Sequence, residues 1–212
     1  MKNNDALIFF KNMSKNKSLN PNSLKLAKNS DFSTIDAKFI LSHTNKNTKI
    51  LDLGSGSGLV INKINDKVKH ILAVEPFVEF TKYINTNTNI TIINKDILNF
   101  KTNELFDLVT MFAVVQYFNQ DEIVKIYTKY KNNLKTNGKL IIKGQFGVED
   151  DVIISGYSDE LKTNYYSQYR HLNKEIDILR KIGYKNIEVV DIYPPECNRW
   201  KNTHFYAIIA EK

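Results

Sequence analysis

Short runs rich in β-branched residues alternate with segments of helical period along most of the chain, and few folds accommodate that alternation. Strands are expected at Lys49 to Leu53, His70 to Glu75, Ile90 to Asn94, Phe106 to Phe112, Lys139 to Lys143, Ile187 to Ile192 and His204 to Ala210. Helical faces lie between them. Phe32, Ile35, Phe39 and Ile40 precede the first strand, Val60, Ile61 and Ile64 follow it, and Phe77, Phe80 and Ile84 follow the second. A further helix opens at Asn119, with Glu122 at capping-box spacing, and presents Ile123, Ile126, Tyr127, Tyr130 and Leu134. The last shows Leu172, Ile176, Leu179 and Ile182 and stops at Gly183. An α/β domain built on a mostly parallel sheet is the reading.

At 212 residues the chain suits one domain with a full core, and its longest apolar run, Leu108 to Val115, is far shorter than the roughly 18 residues of a membrane span. The start carries an apolar patch only from Ala6 to Phe10, with no small-residue cleavage site, so no secretory signal is expected. Cys197, the sole cysteine, excludes an intramolecular disulfide and fits a reducing compartment, which makes the cytoplasm the expected location. The net charge of +7 raises nucleic acid as a partner. Its distribution argues against that. Nine lysines against Asp5, Asp31 and Asp36 place most of the excess in residues 1–49, and only Arg170, Arg180 and Arg199 supply guanidinium groups.

The first expected strand runs into "ILDLGSGSGLV", Ile50 to Val60, where a glycine-rich turn meets the following helix. In open α/β sheets such a turn is where nucleotides bind, because bare backbone lets a ligand approach and the helix start offers unpaired N–H groups. The dinucleotide pattern G-x-G-x-x-G would put a third glycine at Leu59, and no Gly-Lys-Ser or Gly-Lys-Thr follows to make a Walker loop. D-x-G-x-G-x-G remains, from Asp52 through Gly54, Gly56 and Gly58.

With that motif the chain resembles the class I S-adenosylmethionine-dependent methyltransferases from about Ile35 to its end. The resemblance implies a Rossmann-like, seven-stranded, mostly parallel sheet with an antiparallel terminal strand and helices on both faces. It also implies S-adenosyl-L-methionine as cofactor, with Glu75, 21 residues after Gly54, on the ribose hydroxyls and Asp96 and Ile97 on the adenine. Pro76 and Met111 are assigned to the same cofactor site. Asp52 is assigned to the methionyl ammonium, or alternatively caps the turn. No metal is implied.

Methyl transfer is an in-line displacement in which the protein chiefly aligns and dries the reactants, so acid–base residues are few. Gln116 and Tyr117 follow the fourth strand near the expected methyl position. Residues 146–171 form an insertion too long for a simple connection, with Tyr157, Tyr165, Tyr166, Tyr169, Arg170 and His171 as candidate acceptor contacts. Arg199 and Trp200 join them from the last turn, and His171 and His204 are the histidines placed to act as a base. Each of these is also compatible with plain packing. Cys197 lacks a Pro-Cys setting and no Asn/Asp-Pro-Pro-Tyr stretch follows the fourth strand, which counts against nucleobase methylation.

The division expected is residues 1–30 as a helical lid or arm and 31–212 as the methyltransferase domain, in a monomer or homodimer. The function expected is methylation of an oxygen, ahead of a nitrogen, on a small polar metabolite such as a sugar, a nucleotide-linked sugar or a phosphorylated intermediate, as in polysaccharide biosynthesis. An RNA methyltransferase using the basic leading segment, or a non-catalytic cofactor-binding regulator, are the alternatives.

Overall fold

The computed structural model describes residues 3–15, 20–24, 32–86, 89–158, 163–198 and 200–212. Among these a seven-stranded sheet forms the centre. Its first five strands are β1 (Lys49–Leu53), β2 (His70–Val74), β3 (Ile90–Ile93), β4 (Phe106–Phe112) and β5 (Leu134–Gly147), and β8 (Lys185–Asp191) and β9 (Thr203–Glu211) complete it. The order is β3-β2-β1-β4-β5-β9-β8. All neighbours pair in parallel except β9, which runs antiparallel to both β5 and β8.

Alternation along the strands sorts side chains onto two faces. Leu51, Leu53, Leu72, Val74, Val109 and Met111 pack on one face with Ile123, Ile126 and Tyr127 of α5 (Gln120–Asn132) and Leu179 of α6 (Leu172–Ile182). Ile50, Ile71, Ala73, Leu108 and Ile141 pack on the other, with Ala37 and Ile40 of α2 (Phe32–Leu41) and with Ile61 and Ile64 of α3 (Ile61–Ile64). Both faces of the central strands are covered, which is why these strands read as nearly continuous apolar runs.

Helix ends follow their sequence signals. The Asn119 side chain accepts from Glu122 N at 2.9 Å while Glu122 Oε2 accepts from Asn119 N at 2.9 Å. At the end of α6, Gly183 takes φ 88°, and Lys131 Nζ donates to the free carbonyls of Ile182 and Gly183 at 2.9 and 2.7 Å.

Three elements differ from expectation. The helices after β1 and β2 are single turns, α3 and α4 (Val78–Thr81). Asn62 explains part of this, since its amide donates to Tyr83 O at 3.0 Å and accepts from Asn85 N at 2.9 Å, tying the two short turns together in place of longer helices. β5 extends well beyond Lys143, because Gly144 to Gly147 keep pairing with Tyr206 to Thr203. The insertion is an antiparallel hairpin, β6 (Val152–Ser158) and β7 (Thr163–Tyr169), registered Val152 on Tyr169. Against it packs α1 (Asn3–Ser14): Ala6 forms a small separate core with Tyr165 and Tyr117, flanked by Phe9, Phe10 and Ile154. Helix and hairpin thus sit over the carboxyl ends of the parallel strands. No helix among the described residues is long and apolar enough to cross a membrane.

Candidate active site

A cavity of about 550 Å³ opens between the carboxyl ends of β1, β2 and β4 and the covering α1. At one end lies the glycine turn. Gly54 leaves β1 at φ 85°, its N–H and that of Ser55 donating to Val74 O at 2.8 and 3.2 Å, and a Cβ there would meet Val114 Cγ2 at 3.0 Å. The turn is thereby pinned to the adjacent strand. Farther along, Gly58 at φ 75° packs so closely that a Cβ would sit 2.6 Å from Ile84, and it stands behind the turn rather than in the cavity wall.

Two buried carboxylates face this end. Asp52 closes β1 and accepts from Thr110 Oγ1 at 2.6 Å, and burial raises its pKa. Glu75, 7% exposed just after β2, accepts from Gly56 N at 3.1 Å and from Phe77 N at 3.2 Å. Desolvation, reinforced by the nearby Asp52 charge and opposed by the two N–H groups, pushes its pKa up to about 7. Among the described residues neither acid is paired with a cation. Pro76, Asp96 and Ile97 complete this end. The turn bearing Asp96 is held by Asn99 N at 3.0 Å, and Ile97 O accepts from Tyr130 OH at 2.6 Å.

The other end is built on the single turn Val115–Tyr117 after β4. Arg170 fixes that turn from outside, donating to Phe118 O at 2.7 Å and Val115 O at 3.1 Å while paired at 2.5 Å with Glu175, which also accepts from Tyr127 OH. Gln116 faces inward. Its Nε2 donates to Ala113 O at 2.9 Å, and its Oε1 is buried with no partner. Tyr117 meets Phe10 edge-on at 5.0 Å, and Tyr169, which accepts from Trp200 Nε1 at 3.1 Å, also lines the wall. Opposite them, Lys143 near the end of β5 pairs with Asp36 of α2 at 2.9 Å, and Asp36 accepts from Tyr193 OH. The Tyr193 ring is stacked on Phe32 at 4.5 Å and leans on Phe205 at 5.1 Å.

Of the residues singled out in the sequence, Asp52, Gly54, Gly56, Glu75, Pro76, Asp96, Ile97, Gln116, Tyr117 and Tyr169 meet in this one cavity. Others lie elsewhere. Met111 alternates onto the inner face of β4 and is fully buried in the core. His171 caps α6 with its ring at 3.0 Å from Val148 O, and His204 is held by Asp191 at 2.7 Å and Asn198 at 2.8 Å, so neither histidine faces the cavity. Arg170 spends its guanidinium on the turn beneath Gln116, Tyr157 is 63% exposed on β6, and Tyr165 and Tyr166 belong to the hairpin outside the wall. Trp200 reaches the site only through Tyr169, and Arg199 lies outside the described residues. Sequence reasoning passed over Asp36, Lys143, Gln145 and Tyr193. One signal was available: a lysine on the Ile141 face of a central strand must be buried, and a buried cation requires a partner.

Residues 50–138 match a family model described as "Methyltransferase domain". Over that stretch, less than half of the chain, the sequence is similar to methyltransferase domains. The stretch matched holds Asp52, Glu75, Asp96 and Gln116, whereas Asp36, Lys143 and Tyr193 of the opposite end fall outside it. No curated protein sequence matches the chain. Among solved structures, a SAM-dependent methyltransferase from Leishmania major is 14% identical, with 99% of this chain and 82% of that one covered at a TM-score of 0.75. The Burkholderia thailandensis 1,6-didemethyltoxoflavin-N1-methyltransferase, solved with 1,6-didemethyltoxoflavin and S-adenosylhomocysteine, is 13% identical over 99% and 88% of the two chains, TM-score 0.74. Haemonchus contortus phosphoethanolamine N-methyltransferase 1, solved with phosphoethanolamine and S-adenosylhomocysteine, is 18% identical over 99% of this chain and 49% of its own, TM-score 0.74. At these identities the likeness is one of fold.

Proposed function

We propose that the domain uses S-adenosylmethionine to methylate an oxygen, ahead of a nitrogen, on a small metabolite. The observation that carries the reading is the covered cavity, with two buried carboxylates at one end and Gln116 and Lys143 toward the other. Its volume suits one drug-sized ligand plus a small neighbour. Bound there, the donor supplies a methyl group on a sulfonium sulfur. Asp52 meets the ammonium of its aminoacid tail, Glu75 accepts from the ribose hydroxyls with the oxygens that Gly56 and Phe77 already orient, and Asp96 and Ile97 flank the adenine.

Acceptor size follows from the lid. Ala6, Leu7 and Phe10 of α1 close over the cavity, so the described part of the lysine-rich leading segment turns apolar residues inward. This favours a small molecule over structured RNA. The ring-lined walls also move the expectation from a sugar toward a flat, partly apolar acceptor. Incubation with tritium-labelled donor and a fractionated cell extract tests the reading: label is expected in the low-molecular-weight fraction. Label confined to RNA would overturn it in favour of the polymer, and donor binding without transfer to any fraction would favour a non-catalytic role.

A further inference from the structure

The end of the cavity opposite the glycine turn contains a cation that its own protein leaves half-served. The Lys143 side chain is 8% exposed, its ammonium is paired among the described residues with one carboxylate, Asp36 at 2.9 Å, and it lies over the rings of Phe112 at 5.3 Å and Tyr193 at 5.2 Å. An ammonium carries three N–H donors. Burying it with donors idle costs free energy that a ligand oxygen would recover. Asp36 in turn accepts from Tyr193 OH, so the carboxylate is held in place and does not swing across to serve the other protons.

Resting on the small-acceptor methyltransferase reading, we propose that Lys143 binds an ionised ring oxygen of the acceptor, which places the substrate among small, flat phenols or enols. Charge narrows the class. Lys143 and Asp36 together are neutral, so each charge a ligand brings is uncompensated, and a phosphate brings two where an ionised ring oxygen brings one. Gln116 narrows it again: its Oε1 is buried and partnerless, its Nε2 is spent on Ala113 O, and it therefore repels the second oxygen of a carboxylate while welcoming an N–H or O–H beside the reacting oxygen. The walls set the shape, since Phe10, Phe32, Phe112 and Phe205 present rings rather than the polar groups a sugar needs. Position agrees too. Lys143 pairs in register with Phe112, two residues beyond Thr110, which holds Asp52. An alcohol stays protonated beside a lysine, whereas a phenol or enol is acidic enough for a direct hydrogen bond from a Lys143 N–H to favour its ionised form, the proton passing to solvent as it binds.

The test uses 4-nitrophenol, whose ionised form is yellow, titrated into protein saturated with S-adenosylhomocysteine across a pH series. Wild type is expected to bind the yellow form, lowering the probe's apparent pKa by about one unit or more. Lys143→Arg should retain the shift, Lys143→Met should abolish it, and nitrobenzene, which has no hydroxyl, should bind both alike. Because Lys143→Met strands a buried carboxylate and is liable to unfold, Lys143→Met/Asp36→Asn removes both charges as a second variant. The proposal is overturned by a probe that fails to bind wild type, titrates there as it does free, or shifts equally in the variants. It is overturned as to class if benzoate displaces the probe and binds more tightly. Calorimetry of S-adenosylhomocysteine in the same samples separates the two levels. An unshifted probe with intact affinity defeats only this inference, and no affinity in wild type brings down the methyltransferase reading with it.

Discussion

With Glu75 on the donor's ribose as proposed, donor binding is a proton-linked event near neutral pH. In the empty protein its pKa stands at about 7, raised first by desolvation. A carboxyl raised on folding contributes stability fully present below its ordinary pKa and lost as pH rises through the native value. With a native value of about 7 against 4.5, that loss is bounded by about 3 kcal/mol, complete near pH 8. The donor reverses the balance, since ribose hydroxyls donate to the ionised form. If only that form binds, the dissociation constant for S-adenosylhomocysteine weakens about tenfold from pH 8 to pH 6, with close to one proton released per ligand at pH 6. Calorimetry in phosphate and in Tris reads the released proton as a difference in apparent enthalpy. Glu75→Gln should bind about tenfold to a hundredfold more weakly at pH 8 and lose the pH dependence, because its amide keeps the shape without the charge. Thermal melts supply the opposite sign: empty wild type should lose stability relative to Glu75→Gln between pH 6 and pH 8. Affinity that is flat over this range in wild type would refute the linkage and Glu75's place on the donor.

Gly58→Ala should destabilise by about 1–3 kcal/mol in urea unfolding, through a positive φ and a Cβ driven onto Ile84; an unchanged midpoint would show that the turn relaxes. Arg170→Met strands Glu175 and Tyr127 in the core and frees the turn under Gln116, so a loss of about 3–5 kcal/mol is expected from denaturant titration, with Arg170→Lys failing to restore the two backbone contacts. Gln116→Leu removes a buried orphan oxygen, so the empty protein should hold or gain stability by about 1 kcal/mol while acceptor labelling falls; a clear loss of stability would show that Oε1 is served within the fold.

The two ends of the cavity differ in how far the sequence discloses them, and the difference has a physical cause. The donor end is local: Asp52 and the glycines share one short turn, and Glu75 directly follows the next strand, where a parallel crossover returns it to the same edge. Strand alternation, the Asn119 box and the Gly183 stop are equally short-range, and each appears in the structure where its spacing put it. The acceptor end is not local. Tyr193 reaches Asp36 across 157 positions, and Lys143, the last residue of the expected strand, joins them from β5. No spacing rule spans such a gap. The same blindness explains the histidines, whose reputation as bases gave way to fixed neighbours, Val148 O for His171 and Asp191 for His204. The match to the methyltransferase model also ends at residue 138, before Lys143 is reached. On the proposed reading, donor binding is written into a short local motif, while acceptor choice rests on a buried ion pair assembled from α2, β5 and the last loop. Exchanging Asp36, Lys143 and Tyr193 together should therefore change what is methylated and leave S-adenosylhomocysteine affinity within about twofold. A matching loss of donor affinity would show that the two ends are one coupled site.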